Sequence, residues 1–275
     1  MFLQFYTAHP LLQPMVSSIM IFAEQFNSDA PLATIPYPPI PEQSLFFYPR
    51  TPIAATIHGS GKEVLNPNSI VVGPQLKRVN IKLGHDHIVI RVGFKPGGLY
   101  RLIGLNMREM VDEACDTADF FHKQVQQVNE QLFNTMAYDD MIPVVEKFLL
   151  SKLPVSKNIL PFDHAMDVLL QHNGLMRIEE VASLACVSLR QFERLCHERI
   201  GLPPKLYARL MRFSKAYRLF EAQPNINWTC IAHSCGYFDQ MHFIRDFKEF
   251  AGVTPTAIAK EIAGTPVQLQ YMLNF

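Results

Sequence analysis

Two short runs of mostly polar side chains carry the hydrogen-bonding chemistry of this sequence. The first is Arg190, Glu193, Arg194 and His197, and the second is Gln240, Met241, His242 and Arg245. Each run lies opposite an apolar stripe at helical spacing. The stripe is Phe192, Leu195, Cys196 and Ile200 in the first case, and Phe243, Phe247 and Phe250 in the second. An arginine presented on a helix can hold guanine O6 and N7 together, a glutamine can hold adenine, and a glutamate can accept from cytosine. Such chemistry reads base edges and changes no covalent bond.

The elements that must position these runs read as two helix-turn-helix units. In the first, Ile178, Val181, Ala182, Ala185 and Val187 follow a helical period that breaks at Cys186-Val187. Ser188 then opens a second helix, with Gln191 three residues on as the other half of a capping box. Gly201 and Pro203-Pro204 stop that helix. In the second unit, Ile226, Ile231 and Ala232 pattern a short helix turning at Gly236, and Asp239 caps the next. Gly252-Val253-Thr254-Pro255 closes the unit and begins a last helix that reaches about residue 263. Between the units, Leu206, Leu210, Phe213, Tyr217 and Phe220 recur every three or four residues, which predicts one amphipathic helix over 204–223. At 1.5 Å per residue that spacer is about 30 Å long, close to the ~34 Å repeat of duplex DNA. A rigid spacer of this length suits entry of two helices into successive major grooves.

Charge distribution supports an anionic partner more than total charge does. The chain has 25 basic and 25 acidic residues, so no global field favours nucleic acid. Between 188 and 218, however, Arg190, Arg194, Arg199, Lys205, Arg209, Arg212, Lys215 and Arg218 face only Glu193 and Glu198. This local basic stripe suits an anionic rod. With 275 residues, 48% of them hydrophobic, two domains are the natural division. Of the five cysteines (Cys115, Cys186, Cys196, Cys230, Cys235), four are expected on apolar helical faces, which points to reduced thiols in the cytoplasm. No apolar run reaches about 18 residues and no basic start precedes an apolar segment, so neither a membrane span nor a secretion signal is expected.

The first hundred residues read differently. Residues 16–22, 44–48, 53–58, 70–72, 79–83 and 88–94 are β-branched or aromatic runs punctuated by Pro, Gly and Asn, which predicts a small antiparallel sandwich or barrel. Such a shape can enclose an apolar interior able to take a small molecule. Pro31, Pro36, Pro38, Pro39 and Pro41 are expected to form a rigid loop outside any sheet. After Gly97-Gly98, residues 99–105 and 107–112 suggest short helices, and 118–134 and 138–153 a helical pair. The pair carries apolar stripes, Phe121, Val125, Val128 and Leu132 on one helix and Met141, Val144, Val145, Phe148 and Leu149 on the other, for core packing or a dimer seam. The fold class expected is therefore α+β: a β-rich domain with trailing helices over 1–153, a linker at 154–161, an all-α domain over 162–264 and a tail at 265–275.

Other constellations carry less. His85-x-His87 with His58 could hold a divalent ion, but the expected Glu does not follow, and turn histidines are the better account. Gly59-Ser60-Gly61-Lys62 lacks the spacing of a phosphate loop and reads as a hairpin turn. Cys230 and Cys235 beside His233 have no second ligand pair, and Cys235 is expected to pack inward.

The C-terminal residues resemble the AraC/XylS family of bacterial transcription regulators over roughly 160–264. The likeness rests on Ser188-x-Arg190-x-Phe192-x-Arg194 and on Pro204-x-x-Tyr207 with Arg212 and Ala216. It continues through Ile231-Ala232-x-x-Cys235-Gly236-Tyr237, Phe243-x-Arg245-x-Phe247-Lys248 and Gly252-Val253-Thr254-Pro255. By that resemblance Arg190, Glu193 and Arg194 match base-contacting positions of the first reading helix, and Gln240, Met241, His242 and Arg245 those of the second. Met241 and His242 depart from the polar residues most common there. Ser188, Arg209, Arg212, Lys215 and Lys248 fall to phosphates, which position a protein without reading sequence.

The N-terminal part resembles the family in architecture alone, so no effector-binding residues, metal or cofactor are carried over. The implied function is a cytoplasmic regulator of promoter DNA, with RNA polymerase as a partner if it activates. A small effector or homodimerisation would act through the N-terminal domain. The rivals are a metal-dependent β-barrel enzyme and a purely protein-binding module.

Overall fold

The β-branched and aromatic runs of the N-terminal half fold as strands because period-2 side chains can bury one face of a sheet. The computed structural model describes residues 1–26, 32, 34–223, 226–265, 267–270 and 273. Its strands are β1 (Phe2–Tyr6), β2 (Val16–Gln25), β3 (Thr34–Tyr37), β4 (Gln43–Phe47), β5 (Ala54–Ile57), β6 (Glu63–Leu65), β7 (Ser69–Val72), β8 (Val79–Lys82), β9 (Asp86–Phe94) and β10 (Ala114–Asp116). They form two antiparallel sheets, β1-β2-β9-β4-β7-β10 and β3-β8-β5-β6. β5 and β6 make the hairpin expected around Gly59 and Gly61, both at positive φ.

One expectation fails here. Pro36 lies inside β3, opposite Asn80, and not in a loop. The reason is topological: β3 is an edge strand, where a missing N–H costs no ladder bond. Pro31 lies outside the described residues.

The helices that follow are α1 (Gly98–Ile103), a 3-10 turn at Met107–Met110, α2 (Ala118–Phe121), α3 (Lys123–Asn134) and α4 (Tyr138–Lys152). The single helix expected over 118–134 is broken at His122, whose φ of 49° is incompatible with a continuous helix. The stripes of α3 and α4 pack with the six-stranded sheet in one core that includes Leu45, Phe47, Ile90, Val125, Leu132, Val145 and Phe148.

The C-terminal half is helical: α5 (Pro161–Gln171), α6 (Ile178–Leu184), α7 (Leu189–Arg199), α8 (Pro204–Ala222), α9 (Trp228–Ser234), α10 (Gln240–Ala251) and α11 (Pro255–Ile262). It has its own core, in which Phe213, Tyr217, Phe220, Phe243, Phe247 and Phe250 are buried. Of the tail, Val267 and Leu273 pack into the second N-terminal core, with Phe22, Ile81 and Val89. Buried Gln270 joins the halves, its amide donating to Pro38 O at 2.5 Å and its backbone N–H to Glu221 Oε2 at 2.8 Å.

Helix α8 corrects the sequence reading. It packs against α5, α9 and α10, and its buried residues, among them Tyr207, Leu210, Met211, Phe213, Ser214, Tyr217 and Glu221, occupy more than one face. The helix forms as expected, but its polar side is the narrow strip of Lys205, Arg209, Arg212 and Lys215, and the rest of it is the central strut of a core.

Candidate nucleic-acid interface

Each helix-turn-helix unit is built by the same local chemistry. In the first, α6 ends and the chain turns through Cys186 at φ 55°. Ser188 Oγ then accepts from Gln191 N at 3.2 Å, which satisfies one free N–H at the start of α7. Only this half of the expected capping box forms. In the second unit the corresponding turn residue is Gly236, at φ 72°, where glycine meets no Cβ penalty. Asp239 Oδ1 accepts from His242 N at 2.7 Å to cap α10. That hydrogen bond, with His242 Nδ1 3.0 Å from Oδ2, holds the exposed Asp239 carboxyl below its ordinary range.

Both helices bury their apolar stripe and leave the polar run outside. Phe192, Leu195, Cys196 and Ile200 are buried under α7, while Arg190, Glu193 and Arg194 are exposed and His197 is half-buried. Arg194 carries a loose i,i+4 pair with Glu198 at 3.4 Å and keeps 65% of its side chain exposed. Under α10, Phe243, Phe247 and Phe250 are buried, while Gln240, Met241, His242 and Arg245 are exposed. The second unit also presents two large apolar groups to solvent, Phe238 at 94% and Met241 at 70% exposure.

The basic residues divide into free and committed groups. Lys248 is exposed and Lys215 half-buried, and neither joins an ion pair among the described residues. Arg212 lies 5.5 Å from the Tyr237 ring, and its buried Nε has no protein partner. Arg209 is held by Asp246 at 2.7 Å and by the Glu249 carboxylate. Burial opposes its charge, but these two partners outweigh burial and raise its pKa. Arg199 is buried, paired with Asp163 at 2.8 Å and stacked 4.9 Å from the Tyr100 ring. Arg218 donates to Leu273 O. The continuous basic stripe read from the sequence is therefore interrupted, because carboxylates distant in sequence neutralise parts of it.

The first unit also abuts the sandwich. Gln43 Nε2 donates to Ile200 O at 3.0 Å, and Tyr207 Oη donates to Pro41 O at 2.9 Å. Tyr100 Oη donates to Glu198. These contacts hold the C-terminal end of α7 and the start of α8, and leave the N-terminal turn of α7, with Ser188 and Arg190, exposed.

Residues 181–261 match the family model described as a helix-turn-helix domain. This stretch is a helix-turn-helix domain. The chain is 32% identical over 77 residues to the HTH-type transcriptional regulator ArgR of Pseudomonas aeruginosa, 28% of this chain and 23% of that protein. It is 29% identical over 97 residues to an uncharacterized HTH-type transcriptional regulator of Haemophilus influenzae, 35% of this chain and 32% of that one. The aligned stretches thus span a third or less of these relatives. Over 92% of this chain and 98% of the other, the fold is similar to wild-type ToxT of Vibrio cholerae strain SCE256 in its unsaturated fatty acid-bound structure, at 12% identity and a TM-score of 0.49.

His58 and His85 lie in a turn and a bend as expected, and the third histidine does not. His87 is not a turn residue. It sits in β9 with 2% exposure, and burial pushes its pKa from 6.5 down to about 4. Among the described residues, no three His, Cys, Asp or Glu side chains come together as a metal-binding group. Cysteines also depart in part: Cys196 and Cys235 are buried, but Cys186 and Cys230 are exposed and Cys115 lies in the short strand β10. No helix among the described residues is long and apolar enough to cross a membrane.

His87 lines a cavity of about 150 Å³ between the two sheets, which sequence reasoning did not assign to any residue. Its walls are apolar side chains such as Met20, Phe22, Ile81 and Val89, with Leu269 and Leu273 of the tail on one side. Arg91, Glu42 and Ser44 supply polar atoms. Arg91 stands within the apolar run 88–94 of β9, and a charge in such a run was the available sequence clue.

Proposed function

We propose that the chain is a sequence-specific DNA-binding transcription regulator whose α7 and α10 enter successive major grooves of promoter DNA. One observation carries this reading. Two capped helices, each with an exposed polar run, belong to one core whose central strut is α8. At 19 residues α8 is about 28 Å long, near one duplex repeat. In this reading Arg190, Glu193, Arg194, Gln240, Met241, His242 and Arg245 address base edges. Ser188, Arg212, Lys215 and Lys248 address phosphates. Arg209 would reach a phosphate only by exchanging Asp246 and Glu249 for it.

Residues 1–153 form the effector or dimerisation unit, joined through 154–161 to the reader at 162–264, with 265–275 as a tail. The protein acts in the cytoplasm, as a homodimer if the α3–α4 surface pairs, and contacts RNA polymerase if it activates. An effector changes DNA binding only by preferring one arrangement of the two units.

Selection of bound duplexes from a random pool tests the reading, with two half-sites about one helical turn apart as the expected product. A single half-site, or no enrichment, overturns it. On the selected duplex, Arg212→Ala should weaken all sequences alike and lower the salt-dependence slope by about one.

A further inference from the structure

We infer that the cavity between the sheets is a receptor for a neutral, ring-sized molecule carrying one hydrogen-bond acceptor, which Arg91 holds. This rests on the proposal that the sandwich is the effector unit, and gives that effector a chemical class.

The central observation is an unsatisfied cation in a dry setting. The Arg91 side chain is 2% exposed and lines the cavity. Its Nη2 donates to Glu42, while Nε and Nη1 have no protein partner. Buried donors are normally paired, so two on one guanidinium mark a place for an acceptor. Ser44 Oγ and His87 Nδ1 also lie at the cavity without partners. The site is built for these groups: a Cβ on Gly93 would stand 2.6 Å from a Glu42 carboxylate oxygen, so glycine in β9 makes room for the pair.

Charge then chooses the ligand class. Arg91 and Glu42 already form an ion pair, with Ser17 Oγ donating to the same carboxylate. A ligand carboxylate would place a second anion beside one guanidinium, in surroundings that screen poorly. A carbonyl or similar neutral acceptor can take the free N–H groups with no such penalty. His87 carries no charge near neutral pH and offers no second cation. Lys77, also at the cavity, has 66% of its side chain exposed and lies 3.7 Å from Asp112.

Size sets the rest. An apolar cavity of about 150 Å³ accommodates a benzene ring, and the cavity here is of that order. Phe22 and Tyr48 supply aromatic faces.

The test uses three probes of one ring size on the full chain: acetophenone, benzoate and ethylbenzene. Calorimetry and ligand-observed NMR should show acetophenone binding at least tenfold tighter than either of the others. Val89→Phe, which fills the cavity, should abolish binding of all three while the fold is retained. Glu42→Gln frees the guanidinium charge and should reverse the order, so that benzoate binds tighter than acetophenone and raises the variant's Tm. Ser44→Ala is the milder companion should Glu42→Gln fail to fold, and should weaken acetophenone alone. Benzoate matching acetophenone on the unmodified chain overturns the inference, as does binding that survives Val89→Phe. Failure of every probe on a chain that still binds its selected duplex overturns the ligand class and leaves the regulator reading standing. Probe binding by a chain with no DNA affinity does the reverse.

Discussion

The sandwich and the helical domain keep their polar chemistry on opposite sides. In the helical domain the interior is filled by aromatic rings, with Phe213, Tyr217, Phe243 and Phe247 packed at centroid distances of 5.3–6.2 Å. Most of its free hydrogen-bonding side chains face outward on α7 and α10, with Arg212 Nε and Ser214 Oγ left buried and unpaired. In the sandwich the interior is hollow, and Arg91, Ser44 and His87 keep unpaired polar atoms there. A solid domain can present side chains rigidly to a large partner. A hollow one can enclose a small partner and change shape around it.

The contrast is open to direct attack. The largest effect is expected in the solid core. Phe247→Ala should cost about 3–5 kcal/mol in denaturant unfolding, because fully buried rings close around the lost volume only partly. Val89→Phe, beside the cavity, should cost less than the ~1–3 kcal/mol typical of overpacking a filled core. Equal costs at the two sites would remove the distinction.

The hollow interior should also show in pH. His87 titrates below its unfolded value of 6.5, so its neutral form is favoured by folding. Its contribution is complete above pH 6.5 and is lost as pH falls from 6.5 towards about 4. At ~1.4 kcal/mol per pH unit, up to about 3 kcal/mol should disappear across that window. Urea unfolding at pH 7 and 4.5 should show this in the native chain and a flatter profile in His87→Phe.

On the outward face, Arg194→Ala should weaken the selected duplex by about 1–3 kcal/mol and flatten base discrimination at one position of the first half-site. Unchanged discrimination in a gel-shift series would remove Arg194 from the reading set. Met241, exposed and apolar, can only touch a methyl or a sugar. Met241→Ala, or deoxyuridine for thymine in the second half-site, should cost no more than about 0.8 kcal/mol. If both substitutions together cost no more than one, they report the same contact.

Much of the helical domain was legible because its rules are local. The periods of Phe192 to Ile200 and Phe243 to Phe250, the caps at Ser188 and Asp239 and the turn at Gly236 each depend on residues within one or two turns. Six strands were legible for the same reason, while β1, β3, β6 and β10 were not. β3 holds a proline that only its edge position permits, and β6 and β10 are three residues long. The break at His122 had no sequence mark, since no Gly or Pro stands there and its φ of 49° and ψ of −134° belong to no regular turn.

Sequence alone thus determined which side chains each recognition helix turns outward, because a period of 3.6 residues fixes faces before any folding occurs. It could not determine which charges remain available. Arg209 meets Asp246, Arg199 meets Asp163 and Arg91 meets Glu42 across separations of 36 to 49 residues. Only the tertiary structure decided that Arg194 stays largely exposed while Arg91 keeps two buried donors unmet, because Coulombic and hydrogen-bond partners are chosen by distance in space and not along the chain.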